Sequence, residues 1–342
     1  MAAASKIEWT DSTFNPWIGC TRVSPACDHC YAAVSTPARA LGVAWGAGQP
    51  RRRTSAANWK LPLRWNARAS EFGQCDVCGW RGERKPRWAV CPACKNGLMK
   101  PARRRVFCAS LADVFDNEVD DPQWRIGLLE LIAATPDLDW LLLTKRIGNA
   151  EQLLDEALDV MSHGLTRWRD VPWPNVWIGA TIANQAEADR DIPKLLRAPA
   201  AVRFVSVEPL LGPVDIAWAL GHRVGIAAGF LQRGHFSPGL EVLRPLDWVI
   251  VGGESGAHAR PMHPDWARSL RDQCEATGVP FLFKQWGEWC PTGQAKDAAG
   301  EGVVLPGKGR NRQWTHRIGK KAAGRLLDGV EHSGFPGIRH AW

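Results

Sequence analysis

The amino-acid sequence predicts an α/β protein, a partial or complete parallel β/α (TIM-like) barrel with an inserted zinc ribbon. Three observations predict it. Short apolar runs such as Trp140-Leu-Leu-Leu143 and Trp248-Val-Ile-Val251 recur with helical stretches between them, as strands buried on both faces of a parallel sheet do. Each run ends in polar residues, where a parallel barrel keeps its chemistry. Two C-x2-C pairs, Cys75-Asp-Val-Cys78 and Cys91-Pro-Ala-Cys94, stand twelve residues apart, so two tight turns can bring four thiolates to one metal.

Composition bounds the function. The chain of 342 residues has room for a large core, and its 45% hydrophobic and 23% charged content is ordinary for a globular protein. A formal charge of +8 favours an acidic partner, nucleic acid above all. Met1-Ala-Ala-Ala-Ser-Lys6 lacks the apolar centre of a signal peptide, and no apolar run reaches membrane-spanning length. The expectation is a cytoplasmic protein with no membrane contact, in a thiol-reducing compartment. There the ten cysteines read as metal ligands rather than disulfides. Residues 1–50 and 101–290 are expected to form the barrel, 51–100 a basic insertion with the ribbon, and 291–342 a basic C-terminal extension.

In chain order, Ile7–Ile18 reads as a strand running into a loop with Cys20, Cys27 and Cys30, a C-x6-C-x2-C spacing. Gly19 and Pro25 supply the freedom and restriction of φ that such a loop needs. Three thiolates without a local fourth ligand suit a [4Fe–4S] cluster with one open iron better than a closed zinc site. A helix is expected over Tyr31–Leu41. For Cys75, Cys78, Cys91 and Cys94 structural zinc is the leading reading, with a rubredoxin-like iron site or a degenerate knuckle as alternatives. Strands are predicted at Arg105–Ser110, Trp140–Thr144, Val176–Thr181, Val202–Val207, Trp248–Val251 and Pro280–Lys284. Helices are predicted at Pro122–Ala134, Asn149–Met161, Asn184–Leu196 and Pro264–Ala276, the last with Pro264 in its first turn and Gly278 past its end. Arg223–Ser237 reads as an inserted surface loop and Lys320–Leu327 as a short helix.

The polar residues after these strands are the candidate site. They are Ser110 and Asp113; Thr144, Lys145 and Arg146; Thr181 and Asn184; Glu208; Glu254 and Ser255; and Lys284, Gln285 and Glu288. The cysteine loop also follows its strand and would open on the same rim. For any one of these residues, ordinary loop solvation competes with function.

Several motifs carry a resemblance. Phe14-Asn-Pro-Trp-Ile-Gly-Cys20, Val23-Ser-Pro-Ala-Cys-Asp-His-Cys-Tyr31, Leu143-Thr-Lys-Arg146, Val205-Ser-Val-Glu-Pro-Leu-Leu-Gly212, Val251-Gly-Gly-Glu-Ser255 and Phe283-Lys-Gln-Trp-Gly-Glu288 resemble a phage-associated family of uncharacterised three-Cys-motif proteins. Its genes neighbour those called "three-Cys-motif partner". The family looks like an outlying branch of the radical S-adenosylmethionine superfamily, distantly similar to spore photoproduct lyase. The resemblance implies a partial β/α barrel and a [4Fe–4S] cluster on Cys20, Cys27 and Cys30, with S-adenosylmethionine on the fourth iron. The first cysteine gap is six residues here, against the superfamily's usual three, and Ser110 and Asp113 stand where a glycine-rich acidic motif is usual.

The resemblance therefore implies reductive cleavage of S-adenosylmethionine to a 5′-deoxyadenosyl radical, fed by an external electron donor. Asp113, Glu208 and Glu254 are candidates for the cofactor's amino group or ribose, and Lys145 or Arg146 for its carboxylate. Ser110 and Asn184 complete the cofactor-binding set, and a structural salt bridge is the rival reading of each charged member. Arg51–Arg53, Arg81, Arg84, Lys85, Arg87, Lys100 and Arg103–Arg105, interleaved with Trp59, Trp65, Trp80 and Trp88, suit a single-stranded polynucleotide. Modification or repair of nucleic acid is the expected activity. The main rival is a non-catalytic nucleic-acid-binding phage or mobile-element protein with structural zinc at both cysteine sets. Its first set would need His29, Cys108, His258 or His263 as a fourth ligand. A cluster used only for electron transfer or redox sensing is the third reading. Cys274 is expected to be a buried small hydrophobe; Cys108 and Cys290 are unassigned.

Overall fold

The structure is a computed structural model that describes residues 4–84, 90–221, 245–294, 301–306 and 312–337. The chain divides into two compact units, Met1–Thr21 with Ala32–Trp177 and Arg22–Tyr31 with Ile178–Trp342.

The first unit opens with β1 (Ser12–Thr13) and β2 (Trp17–Ile18), and β2 pairs antiparallel with β3 (Arg52–Arg53). One predicted strand over Ile7–Ile18 thus becomes two in different sheets. Pro16 lies between them and has no N–H to continue a ladder. The helix expected over Tyr31–Leu41 shrinks to α1 (Thr36–Ala40), which starts where Ser35 caps it and Pro37 sits in its first turn. After α2 (Ala56–Trp59) and α3 (Leu61–Ala67) come β4 (Phe72–Cys75), β5 (Arg81–Glu83) and β6 (Met99–Pro101), an antiparallel sheet in the order β5-β4-β6.

Next are β7 (Arg104–Cys108), α4 (Gln123–Ala133), β8 (Leu138–Thr144) and α5 (Ala150–Ser162). β7 pairs in parallel with β1 on one side and β8 on the other, with Val106 opposite Ser12 and Trp140. Val106, Phe107, Trp140, Leu141 and Leu142 are buried, which accounts for the unbroken apolar spelling of these strands. Phe14 fills the space between with its ring edge-on to Trp140, centroids 5.6 Å apart.

β9 (Val176–Thr181) crosses the division. The second unit continues with α6 (Gln185–Arg197), β10 (Val202–Val207), β11 (Trp248–Gly252), α7 (Pro264–Thr277) and β12 (Phe281–Gln285). β10, β11 and β12 are parallel neighbours, Phe204 opposite Trp248 and Val249 opposite Phe281. α7 begins at Pro264 and ends at Gly278, whose φ of 71° favours glycine. Past them lie β13 (Trp289–Pro291), β14 (Gly302–Leu305) and β15 (Gln313–Arg317), antiparallel in the order β13-β15-β14. The helix expected over Lys320–Leu327 is α8 (Lys320–Ala323) followed by a hairpin of β16 (Leu326–Leu327) and β17 (Val330–Glu331). Gly324, at φ 68°, stops it.

Among the described residues, seven strands follow the order β1-β7-β8-β9-β10-β11-β12. The α/β class and the parallel sheet hold. The expected loop at Arg223–Ser237 lies outside the described residues. Among those described, no helix is long and apolar enough to cross a membrane.

Candidate functional site

The best-defined site lies in the antiparallel sheet of the first unit. The ligand atoms of Cys75, Cys78, Cys91 and Cys94 all lie within 4.8 Å of one another. Cys75 Sγ is 3.7 Å from Cys94 Sγ, and Cys78 Sγ is 3.6 Å from Cys91 Sγ. Four thiolates at about 2.3 Å from one zinc would stand about 3.8 Å apart, so this donor set fits a single tetrahedral ion. The turns are made for it. The N–H groups of Val77 and Cys78 donate to Cys75 Sγ, and that of Ala93 to Cys91 Sγ, each at 3.4 Å. The residue after each pair takes a left-handed conformation, Gly79 at φ 71° and Lys95 at φ 62°. Gly97 leaves room for the sulfurs: a Cβ there would come 2.3 Å from Cys75 Sγ. Backbone N–H donation, first from Asn96 and then from Gly97, draws the Cys94 thiol down to about 6, toward the thiolate a metal requires.

Cys20 also belongs to the first unit, and its surroundings come from β7 and β8. Arg146, at the end of β8, donates through Nη1 to Cys20 Sγ at 3.4 Å and through Nη2 to the Thr21 carbonyl at 2.8 Å. Burial, reinforced by the Asp113 charge, pushes the Cys20 thiol up to about 11, and Arg146 opposes both. Asp113 is buried and fully engaged. It accepts from Thr144 Oγ1 at 2.6 Å, Lys145 N at 2.9 Å and Phe115 N at 3.0 Å, and it pairs with Arg146 at 3.3 Å. Beneath the loop, Arg51 donates to Asp116 Oδ2 at 2.8 Å and to Thr21 Oγ1 at 2.6 Å. Ser110 exchanges hydrogen bonds with the Asn15 side chain. Thus Ser110, Asp113 and Arg146 organise the start of the cysteine loop; Lys145 is half-buried beside them.

Cys27 and Cys30 belong to the second unit, where Cys27 is buried and Cys30 half-buried. Arg260 holds the turn containing Cys27, donating to Asp28 Oδ2 at 3.0 Å and the Pro25 carbonyl at 2.9 Å. The same guanidinium forks onto Glu254 at 2.6 and 2.8 Å, and His29 Nδ1 lies 3.2 Å from Glu254 Oε2. These contacts hold the Glu254 carboxyl below the usual range, with Arg260 the main partner acting against burial. Glu254, expected as a cofactor contact, is thus joined to the loop through Arg260 and His29. The sequence reading missed Arg260, because nothing in its local spacing announces a contact 232 residues away.

Other expectations resolve as follows. Asn184 caps α6 by accepting from Glu187 N at 3.0 Å, while Glu187 accepts from Ala183 N at 2.8 Å. The spelling Asn184-Gln-Ala-Glu187 is a capping-box pattern, and that signal was readable in advance. Glu208 follows β10 and pairs with Lys284 Nζ at 2.7 Å. Of the proposed fourth ligands, His263 caps α7 and His258 is exposed with its ring 5.8 Å from that of His29. Cys108 is buried in β7 rather than open to the rim, and burial pushes its thiol up. Cys274 and Cys290 are buried, and burial pushes them up to about 12 and about 11.

The basic insertion is largely paired internally. Arg81 forks onto Asp11 at 2.9 Å, Arg103 pairs with Asp139 at 2.6 Å, and Arg105 lies 3.6 Å from Asp11. Arg53 covers the Trp59 ring at 4.1 Å and Arg104 the Phe72 ring at 4.4 Å. Trp65 is buried, and Lys85, Arg87 and Trp88 lie outside the described residues. What opens to solvent is a cleft of about 510 Å³ lined by Arg64, Arg68, Arg81 and Arg104 with Glu71 and Glu83 among its acids.

Fold and site together define an α/β protein with a parallel sheet and a four-cysteine group able to hold a metal ion. The chain belongs to the family described as "Protein of unknown function (DUF5131)", whose model matches residues 4–336. No curated protein and no solved structure matches the chain. The resemblance to an uncharacterised family therefore holds over nearly the whole chain.

Proposed function

We propose that the chain is a phage-associated radical S-adenosylmethionine-type enzyme acting on nucleic acid, in its modification or repair. In this reading Cys20, Cys27 and Cys30 hold a [4Fe–4S] cluster, and Cys75, Cys78, Cys91 and Cys94 hold a structural zinc. The observation that carries it is Arg146 donating to Cys20 Sγ at 3.4 Å, at the C-terminal end of a parallel strand. A guanidinium facing a half-buried thiol suits a sulfur that becomes a thiolate when it takes iron. When bound, the cluster and S-adenosylmethionine would supply one-electron reduction and hydrogen abstraction, with electrons from an external donor.

The chain's own residues would position and shield. Asp113 holds Arg146 against Cys20, and Arg260 holds the turn carrying Cys27. With Arg146 engaged by Cys20 and Asp113, Lys145 is the candidate for the cofactor's carboxylate. The arginine-lined cleft would meet phosphate.

Anaerobic purification with iron, sulfide and zinc measured together tests the reading. The expected protein is brown, absorbs at roughly 400 nm as thiolate-bound iron–sulfur centres do, and cleaves S-adenosylmethionine under dithionite. Cys27→Ala should lose iron and cleavage but keep zinc. The rival is structural zinc at both cysteine sets in a non-catalytic nucleic-acid binder. Colourless protein with about two zinc per chain would select it. An iron-loaded protein that leaves S-adenosylmethionine intact would be an electron carrier or redox sensor.

A further inference from the structure

The ends of β10, β11 and β12 carry a second polar cluster that the cysteine chemistry does not use. Gln285 is 5% exposed. Its Nε2 donates to Glu208 Oε1 at 3.1 Å and to Ser255 Oγ at 3.1 Å. A carboxylate facing the amide fixes which end is nitrogen, because an amide oxygen there would meet like charge. Gln285 Oε1 is left buried with no hydrogen-bond partner among the described residues. A buried acceptor without a donor costs about 1–3 kcal/mol, and a native fold keeps one where something else completes it.

The neighbouring groups say what would complete it. Glu208 sits centrally, its Oε1 accepting from both Lys284 Nζ at 2.7 Å and Gln285 Nε2. Among the described residues its Oε2 has no hydrogen-bond partner. Lys284 has ammonium protons beyond the one it gives Glu208. Along Lys284–Glu208–Gln285 the cluster therefore offers donor, acceptor, acceptor. Lys284 and Glu208 neutralise each other, so the complement is an uncharged edge reading acceptor, donor, donor. Guanine presents that edge through O6, N1–H and the N2 amino group. Cytosine, uracil and adenine do not. Gly252 keeps the cluster open, since a Cβ there would stand 3.2 Å from the Glu208 carboxylate. Tyr31, 57% exposed, lies within electrostatic reach of Glu208.

We propose that Lys284, Glu208 and Gln285 form a recognition site for the Watson–Crick edge of an unpaired guanine. The inference rests on the nucleic-acid reading above and narrows its substrate to a guanine-containing single strand or flipped base. Nucleobases are read in this way when their edges are freed from pairing.

Equilibrium dialysis of guanosine and inosine monophosphates against the full chain tests it, because the two differ only by the N2 amino group. The expected result is at least about tenfold preference for the guanine nucleotide, the scale for a buried acceptor losing its donor. Gln285→Met should bind both nucleotides equally. Gly252→Ala, which removes no polar group but sets a methyl against the Glu208 carboxylate, should weaken guanine binding. Equal binding of the two nucleotides by the parent chain, no binding up to millimolar concentration, or a preference that survives Gln285→Met overturns the site. Filter retention of single-stranded DNA with and without guanine separates the two proposals. Guanine preference without retention of DNA sinks the polynucleotide reading and supports the site. Retention of DNA with equal nucleotide binding does the reverse.

Discussion

The two cysteine sets are held in opposite ways. Cys75, Cys78, Cys91 and Cys94 lie close together in the chain and within one compact unit, and their own turns aim the sulfurs at one point. Three N–H···S bonds and the left-handed conformations of Gly79 and Lys95 are local devices. The C-x6-C-x2-C loop is held from a distance. Cys20 depends on Arg146, 126 residues away, and the turn with Cys27 depends on Arg260. Local closure makes a site that a metal alone can complete. Remote closure makes one that can form only after the sheet has formed.

The comparison can be broken most forcefully at the four-cysteine group. Binding of a structural zinc supplies on the order of 10 kcal/mol. Cys91→Ser, or chelation, should therefore unfold β4, β5 and β6 outright, seen as loss of amide protection over Phe72–Pro101 while β7 and β8 stay protected. If those strands keep their protection without metal, the local-closure account is wrong.

A smaller loss is expected at the remote anchor. The side chains of Arg51 and Asp116 are fully buried against each other. Arg51→Ala leaves Asp116 as a buried charge without its chief partner, a change that costs about 3–5 kcal/mol. Denaturant unfolding should show the loss, and the metal content of the four-cysteine group should stay unchanged. An effect under about 1 kcal/mol would place Arg51 with surface pairs.

Arg260→Ala should cost less again, about 1–2 kcal/mol, because the arginine is partly exposed and its bonds are charge-assisted. The signature is local: faster amide exchange over 24–30, restored in part by Arg260→Lys. Unchanged exchange there would remove Arg260 from the loop's support.

The smallest effect lies away from both cysteine sets. Arg268, then Gln294 and Arg271, hold the Asp328 carboxyl well below the usual range. A depressed carboxyl contributes stability above its unfolded pKa of about 3.9, and loses it as pH falls through the folded value. Asp328→Asn should lower the melting temperature slightly at pH 7 and by less near pH 2, where the loss has begun but is not complete. A variant equally destabilised at both values would show that the ion pairs are not the cause.

Much of this was legible from spelling. The parallel strands were readable because burial on both faces forces unbroken apolar runs, as at Trp140–Leu143 and Trp248–Val251. The four-cysteine group was readable because its geometry is set within two tight turns. Strand-end carboxylates were harder. Asp113, Glu208 and Glu254 look alike in the sequence, yet the first steadies Arg146, the second faces Gln285, and the third is clasped by Arg260. The arginines of the insertion likewise read as a solvated basic face, although Arg51 and Arg105 are buried.

The sequence by itself determined the α/β class, the four-cysteine group and which residues stand at strand ends, since each follows from periodicity or spacing over a few residues. Tertiary structure decided which charges are spent on one another and which polar atoms are left open. Those outcomes turn on partners such as Arg260 and Asp28, or Gln285 and Glu208, that meet only when distant strands and loops come together. Burial then makes every pairing, or its absence, count for far more than it would in water.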